Sequence, residues 1–120
     1  MCVWSLTEVE AYSALRRRTR ATPPLETSAF EAARTRLDRL TGSWRVVPDQ
    51  IAVHGHARRL LDAHPLKAAD ALQLDAAWVF YDGAVAGKPF VAFDGILAGA
   101  AKSEGFRVST VDAAGRLQRP

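Results

Sequence analysis

A chain of 120 residues, 48% hydrophobic and 24% charged, has the size and apolar content of one globular domain and is too short for two. Its 16 Lys and Arg against 13 Asp and Glu leave a formal charge of +3 and a pI near 9.5, compatible with a polyanionic partner without demanding one. The single cysteine, Cys2, excludes an internal disulfide and a cysteine zinc site, and no apolar run nears the roughly 20 residues of a membrane span. The expectation is a soluble, cytoplasmic protein with no membrane partner.

Met1 to Trp4 reads as the tail of a strand. Ser5 followed by Glu8 has the spacing of a capping box, so a helix is predicted from about Leu6 to Arg18. The cluster Arg16, Arg17, Arg18 and Arg20 then leads into the loop Thr22-Pro23-Pro24, where proline disfavours helix in the preceding residue. A second capping box, Ser28 with Glu31, opens a helix whose Phe30, Ala33, Leu37 and Leu40 recur at helical spacing up to a stop at Gly42. Trp44 to Val47 has strand propensity, and Pro48-Asp49 starts a helix carrying Ile51, His54, Ala57, Leu60 and Leu61 that His64-Pro65 interrupts. The most strongly patterned helix runs from Leu66 to about Tyr81, closed by Asp82-Gly83. A strand is predicted from Pro89 to Phe93, a helix capped by Asp94 and stopped at Gly105, and a last strand from Phe106 to Thr110, with residues 110–120 a frayed tail. Strands alternating with helices argue for a single α/β domain over residues 1–120 with a largely parallel sheet.

Three carboxylates stand at positions that call for an explanation. Leu66, Asp70, Leu74 and Ala77 occupy one helical stripe, which puts Asp70 where a leucine is expected. Such a carboxylate must be neutralised, hydrogen-bonded or held by a cation, unless the end of the stripe simply reaches solvent. Glu10 shares a face with Leu6 and Ala14; the competing reading is a solvated glutamate paired with the arginines one or two turns on. Asp94 closes a strand at the end where open α/β sheets present ligands, and it is equally an ordinary N-cap. Asp75 lies off the Asp70 stripe and Asp82 precedes a glycine in a turn, and both read as structural. Carboxylates on separate elements of one sheet suit Mg²⁺ or Mn²⁺, which prefer oxygen ligands and activate water for phosphodiester hydrolysis. His54 and His56 do not share a helix face, so a zinc pair is not expected, and His64 reads as a loop residue. No Ser-His-Asp or Cys-His arrangement and no glycine-rich phosphate loop is readable.

At these residues the sequence resembles the PIN-domain family, in particular toxins of the VapC type. Leu66-Lys67-Ala68-Ala69-Asp70-Ala71-Leu72-Gln73-Leu74 is similar to the family's L-[RK]-A-A-D-A-L-x-L helix. Phe90-Val91-Ala92-Phe93-Asp94 with Leu97, Ala100, Ala101 and Gly105 resembles its V-T-x-D-x-x-L-x-x-A-A-x-x-G segment. Ser5 to Glu10 with Ser13, Ala14, Leu15, Arg16 and Arg17 resembles its S-x-x-x-x-E-x-x-S-A-L-x-R segment. The three occur in the family's order and cover the chain from Trp4 to Val108.

The resemblance implies a PIN-like α/β/α sandwich with a mostly parallel sheet. It also implies a metal site of Glu10, Asp70 and Asp94, and RNA cut by a Mg²⁺- or Mn²⁺-activated water. A homodimer and a small antitoxin covering the site are implied as partners, and Arg16, Arg17 and Arg20 as contacts to RNA phosphates, where cations closing a helix C-terminus are the alternative. Family members begin with a strand ending in Leu-Asp-[Thr/Ser], and this chain begins almost on the glutamate helix. The expectation is therefore that the first strand and first metal aspartate lie outside the sequence. A misplaced start codon, a decayed copy, or a strand supplied by another chain would each account for that. Two further readings stand beside the enzyme: a catalytically inactive PIN remnant that binds an antitoxin or a PIN partner, and a small α/β domain without nuclease ancestry.

Overall fold

A computed structural model describes residues 1–47, 50–112 and 114–120, leaving aside the side chains of Cys2 and of residues 50–54. The chain is a mixed α/β fold of two units, Met1–Val46 and Val47–Pro120. Five helices and small sheets make up the described residues. No helix among them is long and apolar enough to cross a membrane.

The first unit begins with β1, Cys2–Trp4, which pairs with β2, Arg45–Val47, in a two-stranded sheet; the Arg45 amide donates to the Met1 carbonyl at 2.8 Å. Between them stand α1, Thr7–Thr19, and α2, Thr27–Thr41, packed on each other. Phe30 of α2 is buried and meets Tyr12 of α1 edge-on at 6.4 Å, with the Arg16 guanidinium over its ring at 4.2 Å. Neither expected capping box forms. Leu6 is the N-cap of α1 and Glu26 that of α2, and neither cap makes a side-chain bond. The reason is register: Ser5 lies one residue before the first cap, and the Phe30 amide already donates to the Glu26 carbonyl, so Ser28 falls inside the first turn.

The second unit opens with α3, Gln50–Ala63, followed by α4, Ala68–Phe80, and the two helices pack side by side across the break at His64-Pro65. The expected helix start at Pro48-Asp49 lies outside the described residues. Then come β3, Pro89–Ala92; α5, Gly95–Ser103; β4, Arg107–Val111; and β5, Leu117–Gln118. β3 and β4 are parallel in register Phe90↔Val108 and Ala92↔Thr110, joined by α5 as the crossover. β5 runs antiparallel to β4, so this three-stranded sheet is mixed and small rather than mostly parallel. The expected frayed tail is instead a hairpin. Asp112 organises it, accepting from the amides of Ala114 and Arg116 at 2.9 Å and from the side chains of Arg116 and Gln118 at 3.0 Å. A single carboxylate satisfying four donors offsets the entropy of ordering a short terminal strand.

One core holds the second unit: Leu60 from α3, Ala71 and Leu74 from α4, Ala92 from β3, Leu97, Ala100 and Ala101 from α5, and Phe106 and Val108 around β4. Alanines on the inner face of α5 let that helix lie close to the sheet, and Gly105, at φ +103, turns the chain from α5 into β4 where an L side chain would be strained. α4 and α5 pack on each other in this core, and α5 in turn packs on β3.

Candidate functional site

Asp94 follows β3 and is the N-cap of α5; its Oδ1 accepts from the Ile96 amide at 2.7 Å and its carbonyl from the Ala98 amide at 2.9 Å. The ordinary capping reading is therefore realised, and the cap fixes where the exposed carboxylate stands. Asp70 sits in the first turn of α4, half-buried beside the core residues Ala71 and Leu74. Its carboxyl is held above the ordinary value of 3.8, first by burial and then by the negative charge of Asp94, with the nearby Lys67 ammonium acting in the opposite direction. Two of the three acids singled out in the sequence, 24 residues apart, are thus near enough in space to repel each other.

Glu10 stands half-buried on α1, in the first unit. The apolar stripe assigned to it does not materialise, since Leu6 is 47% exposed, Ala14 is exposed, and α1 buries no residue fully. Of the arginines, Arg16 is committed within the unit. Its guanidinium covers Phe30 and donates to the Tyr12 hydroxyl at 3.2 Å. Arg17 donates to the Ser13 hydroxyl at 3.1 Å, and Arg20 ends the helix with an exposed side chain. Among the described residues, no group of three or more His, Cys, Asp and Glu side chains gathers as a metal site.

The most deeply buried acid among the described residues is Asp75, which has no solvent exposure. Its Oδ2 accepts from the His56 amide of α3 at 2.9 Å. Burial raises its pKa, and the His56 amide works against that rise. This carboxylate ties α4 to α3, a structural role in keeping with its place off the Asp70 stripe. Its depth was legible from a second stripe: Ala71 lies four residues before it and Trp78 three after, both apolar. Asp82 takes φ 51 in the turn that ends α4. An open groove lined by Gly55, His56, Trp78, Val79, Asp82 and Gly83 runs between α3 and α4, and neither Asp70 nor Asp94 borders it.

His56 meets the Trp78 ring at a tilt of 48° with centroids 5.5 Å apart, and His64 Nε2 lies 4.0 Å from Glu104, whose other oxygen takes a 2.7 Å bond from Arg59. The His54 side chain lies outside the described residues. No family model, no curated protein and no solved structure matches the chain.

Proposed function

We propose that the chain is a metal-dependent endoribonuclease of the VapC-type PIN class, the toxin of a toxin–antitoxin pair. The observation that carries the reading is the pair Asp70 and Asp94, set on a helix start and a strand end and close enough that one raises the pKa of the other. Mutually repelling carboxylates hold their charge at a cost that a divalent cation relieves. The donor set is oxygen only, as Mg²⁺ and Mn²⁺ prefer, and one or two carboxylates with several waters are a common complement for such an ion. Asp70 and Asp94 would hold the metal, with Glu10 as a further acid. A bound ion of this kind activates a water and offsets charge on the phosphodiester as it is cut. Asp94 keeps acceptor capacity beyond its single capping bond, so cap and ligand are compatible roles. Lys67 brings a cation to the same place, suited to a phosphate.

The parallel β3–α5–β4 unit with Asp94 at its ligand-presenting end supports the finer fold reading, a PIN-like α/β/α sandwich. A cytoplasmic homodimer whose site is covered by a small antitoxin belongs to the same proposal. A second reading, an inactive PIN remnant that binds an antitoxin or an intact PIN subunit, is favoured by one observation: no three acids gather among the described residues.

The test is cleavage of single-stranded RNA by the purified chain in Mn²⁺, with EDTA and Asp70→Asn as controls. The enzyme reading expects cleavage, abolished by EDTA and lowered roughly 10²-fold or more by Asp70→Asn, the scale on which lost transition-state electrostatics are felt. A folded chain that leaves the RNA intact moves the conclusion to the binding module.

A further inference from the structure

Gly55 lies inside α3, exposed, and lines the groove between α3 and α4. Glycine weakens a helix interior relative to alanine, and nothing among the described residues calls for it here. A β-carbon built on Gly55 would meet no atom within 4 Å, and its φ is not in the positive range that favours glycine. The space it leaves open belongs to the groove, about 390 Å³ in volume. On the α4 side stands Trp78, half-buried, with the His56 ring tilted against it by 48°. A β-carbon on Gly83 would lie 3.5 Å from the Trp78 Nε1, so glycine there also leaves the indole edge uncovered. The turn beyond is fixed by its backbone, the Asp82 amide donating to the Val79 carbonyl and the Gly83 amide to that of Trp78, each at 3.0 Å. It holds the exposed Asp82 at the groove, where among the described residues this carboxylate makes no hydrogen bond or ion pair.

The charge of the groove decides what it can hold. No Lys or Arg is among the described residues that line it, and a second carboxylate, Asp75, accepts from the amide of His56 in its α3 wall. Unpaired carboxylate beside aromatic rings suits a cation, and the indole already takes one elsewhere on its ring. The Arg59 guanidinium lies over Trp78 at 5.2 Å, outside the groove lining, with its charge matched by Glu104 at 2.7 Å. We propose that the groove binds a second guanidinium, one from outside this chain, paired with Asp82 and laid against Trp78 where Gly55 leaves it room. Guanidinium is favoured over ammonium because it is planar, offers parallel N–H donors to a carboxylate, stacks on aromatic rings and is more weakly hydrated. Neither Asp70 nor Asp94 borders the groove, so the site is independent of the nuclease reading.

The test follows the Trp78 indole N–H by NMR in the full chain, the resonance being assigned by its loss in Trp78→Phe. The probes, at low salt, are n-butylguanidinium, n-butylammonium and the neutral n-butylurea of similar shape. The expected result is a saturable shift with the guanidinium, a weaker response to the ammonium, and none to the urea over the same range. Asp82→Asn is expected to weaken the guanidinium at least threefold, the scale of an exposed charge pair. Gly55→Ala should raise Tm, because the helix gains propensity and the new methyl meets nothing, whereas Gly55→Leu should fill the groove and remove the shift. A urea or an ammonium that binds as tightly as the guanidinium overturns the proposal, and so does unchanged affinity in Asp82→Asn or Gly55→Leu. A Gly55→Ala chain that melts lower overturns it as well, since the glycine would then serve the packing of the chain itself. The peptide acetyl-Gly-Arg-Gly-amide separates the two sources of the group. Tighter binding than n-butylguanidinium supports an arginine of a protein partner, binding no tighter supports a free small molecule, and no binding by either overturns the site.

Discussion

Asp94→Asn separates the two roles of one side chain. Asparagine caps helices about as well as aspartate, so α5 should stay intact and stability should change by less than about 0.5 kcal/mol. The charge on Asp70, however, loses its repelling neighbour. The expected outcome is a lower Asp70 pKa in a carboxyl NMR titration and, on the nuclease proposal, loss of metal-dependent cleavage. The stability consequence has a definite sign. Because burial and Asp94 raise the Asp70 pKa above 3.8, the folded chain keeps a proton that the unfolded chain has released. Stability from this group therefore falls as pH rises from 3.8 through the folded value, and the penalty persists above it. Asp70→Asn should melt higher than the parent at neutral pH, by at most about 1 kcal/mol for a half-exposed group, and the gap should close below pH 3.8. A mutation that stabilises the fold while removing activity is what a charge kept for function, and not for folding, predicts. Asp70 is legible in the sequence because a carboxylate interrupts an apolar stripe. Asp75 is legible only through the second stripe of Ala71 and Trp78, and the packing of α3 on α4 is what makes it the deepest acid among the described residues.

Whole elements are legible where a local signal ends them. Pro65 breaks α3 from α4, Gly83 at φ +78 closes the turn after α4, and Gly105 ends α5, each at the expected place. Capping boxes fail as signals because a Ser-x-x-Glu spacing carries no information on which residue the backbone makes the cap. The hairpin of β4 and β5 escapes the sequence for a related reason: its one organising residue, Asp112, acts on partners two to six residues away in a segment with no apolar pattern. That arrangement gives a pH dependence. The Arg116 amide first, and then the side chains of Arg116 and Gln118 and the Ala114 amide, hold the Asp112 carboxyl below 3.8. A depressed pKa contributes stability that is present above 3.8 and lost as pH falls through the folded value. Cross-strand NOEs between Val111 and Leu117 should therefore persist at neutral pH and fade in acid, whereas Asp112→Ala should weaken them at every pH.

At the scale of the molecule, charge is divided between the units. Met1–Val46 carries eight arginines and no lysine against five Asp and Glu, whereas Val47–Pro120 balances eight Lys and Arg with eight Asp and Glu. The whole formal charge of +3 therefore belongs to the first unit. Arg16 is engaged by Tyr12 and Phe30, so of Arg16, Arg17 and Arg20, the three proposed to meet phosphates, Arg17 and Arg20 have the exposed side chains. If RNA binds there, the double change Arg17→Gln and Arg20→Gln should flatten the dependence of log affinity on log salt by about 0.7 for each phosphate that is no longer neutralised. An unchanged slope would return the cluster to its other role, neutralising the C-terminus of α1.

The sequence by itself determined the alternation of helices and strands and the prominence of Asp70 and Asp94, because both rest on local periodicity and on a charge out of place. It also supplied the resemblance on which the nuclease proposal draws. Only the tertiary structure decided that Asp94 reaches Asp70 electrostatically, that Asp75 bridges two helices, and that Arg16 is spent on an aromatic pair. Those facts depend on residues far apart in the chain meeting through a shared core, and no spacing along one helix or strand encodes such a meeting.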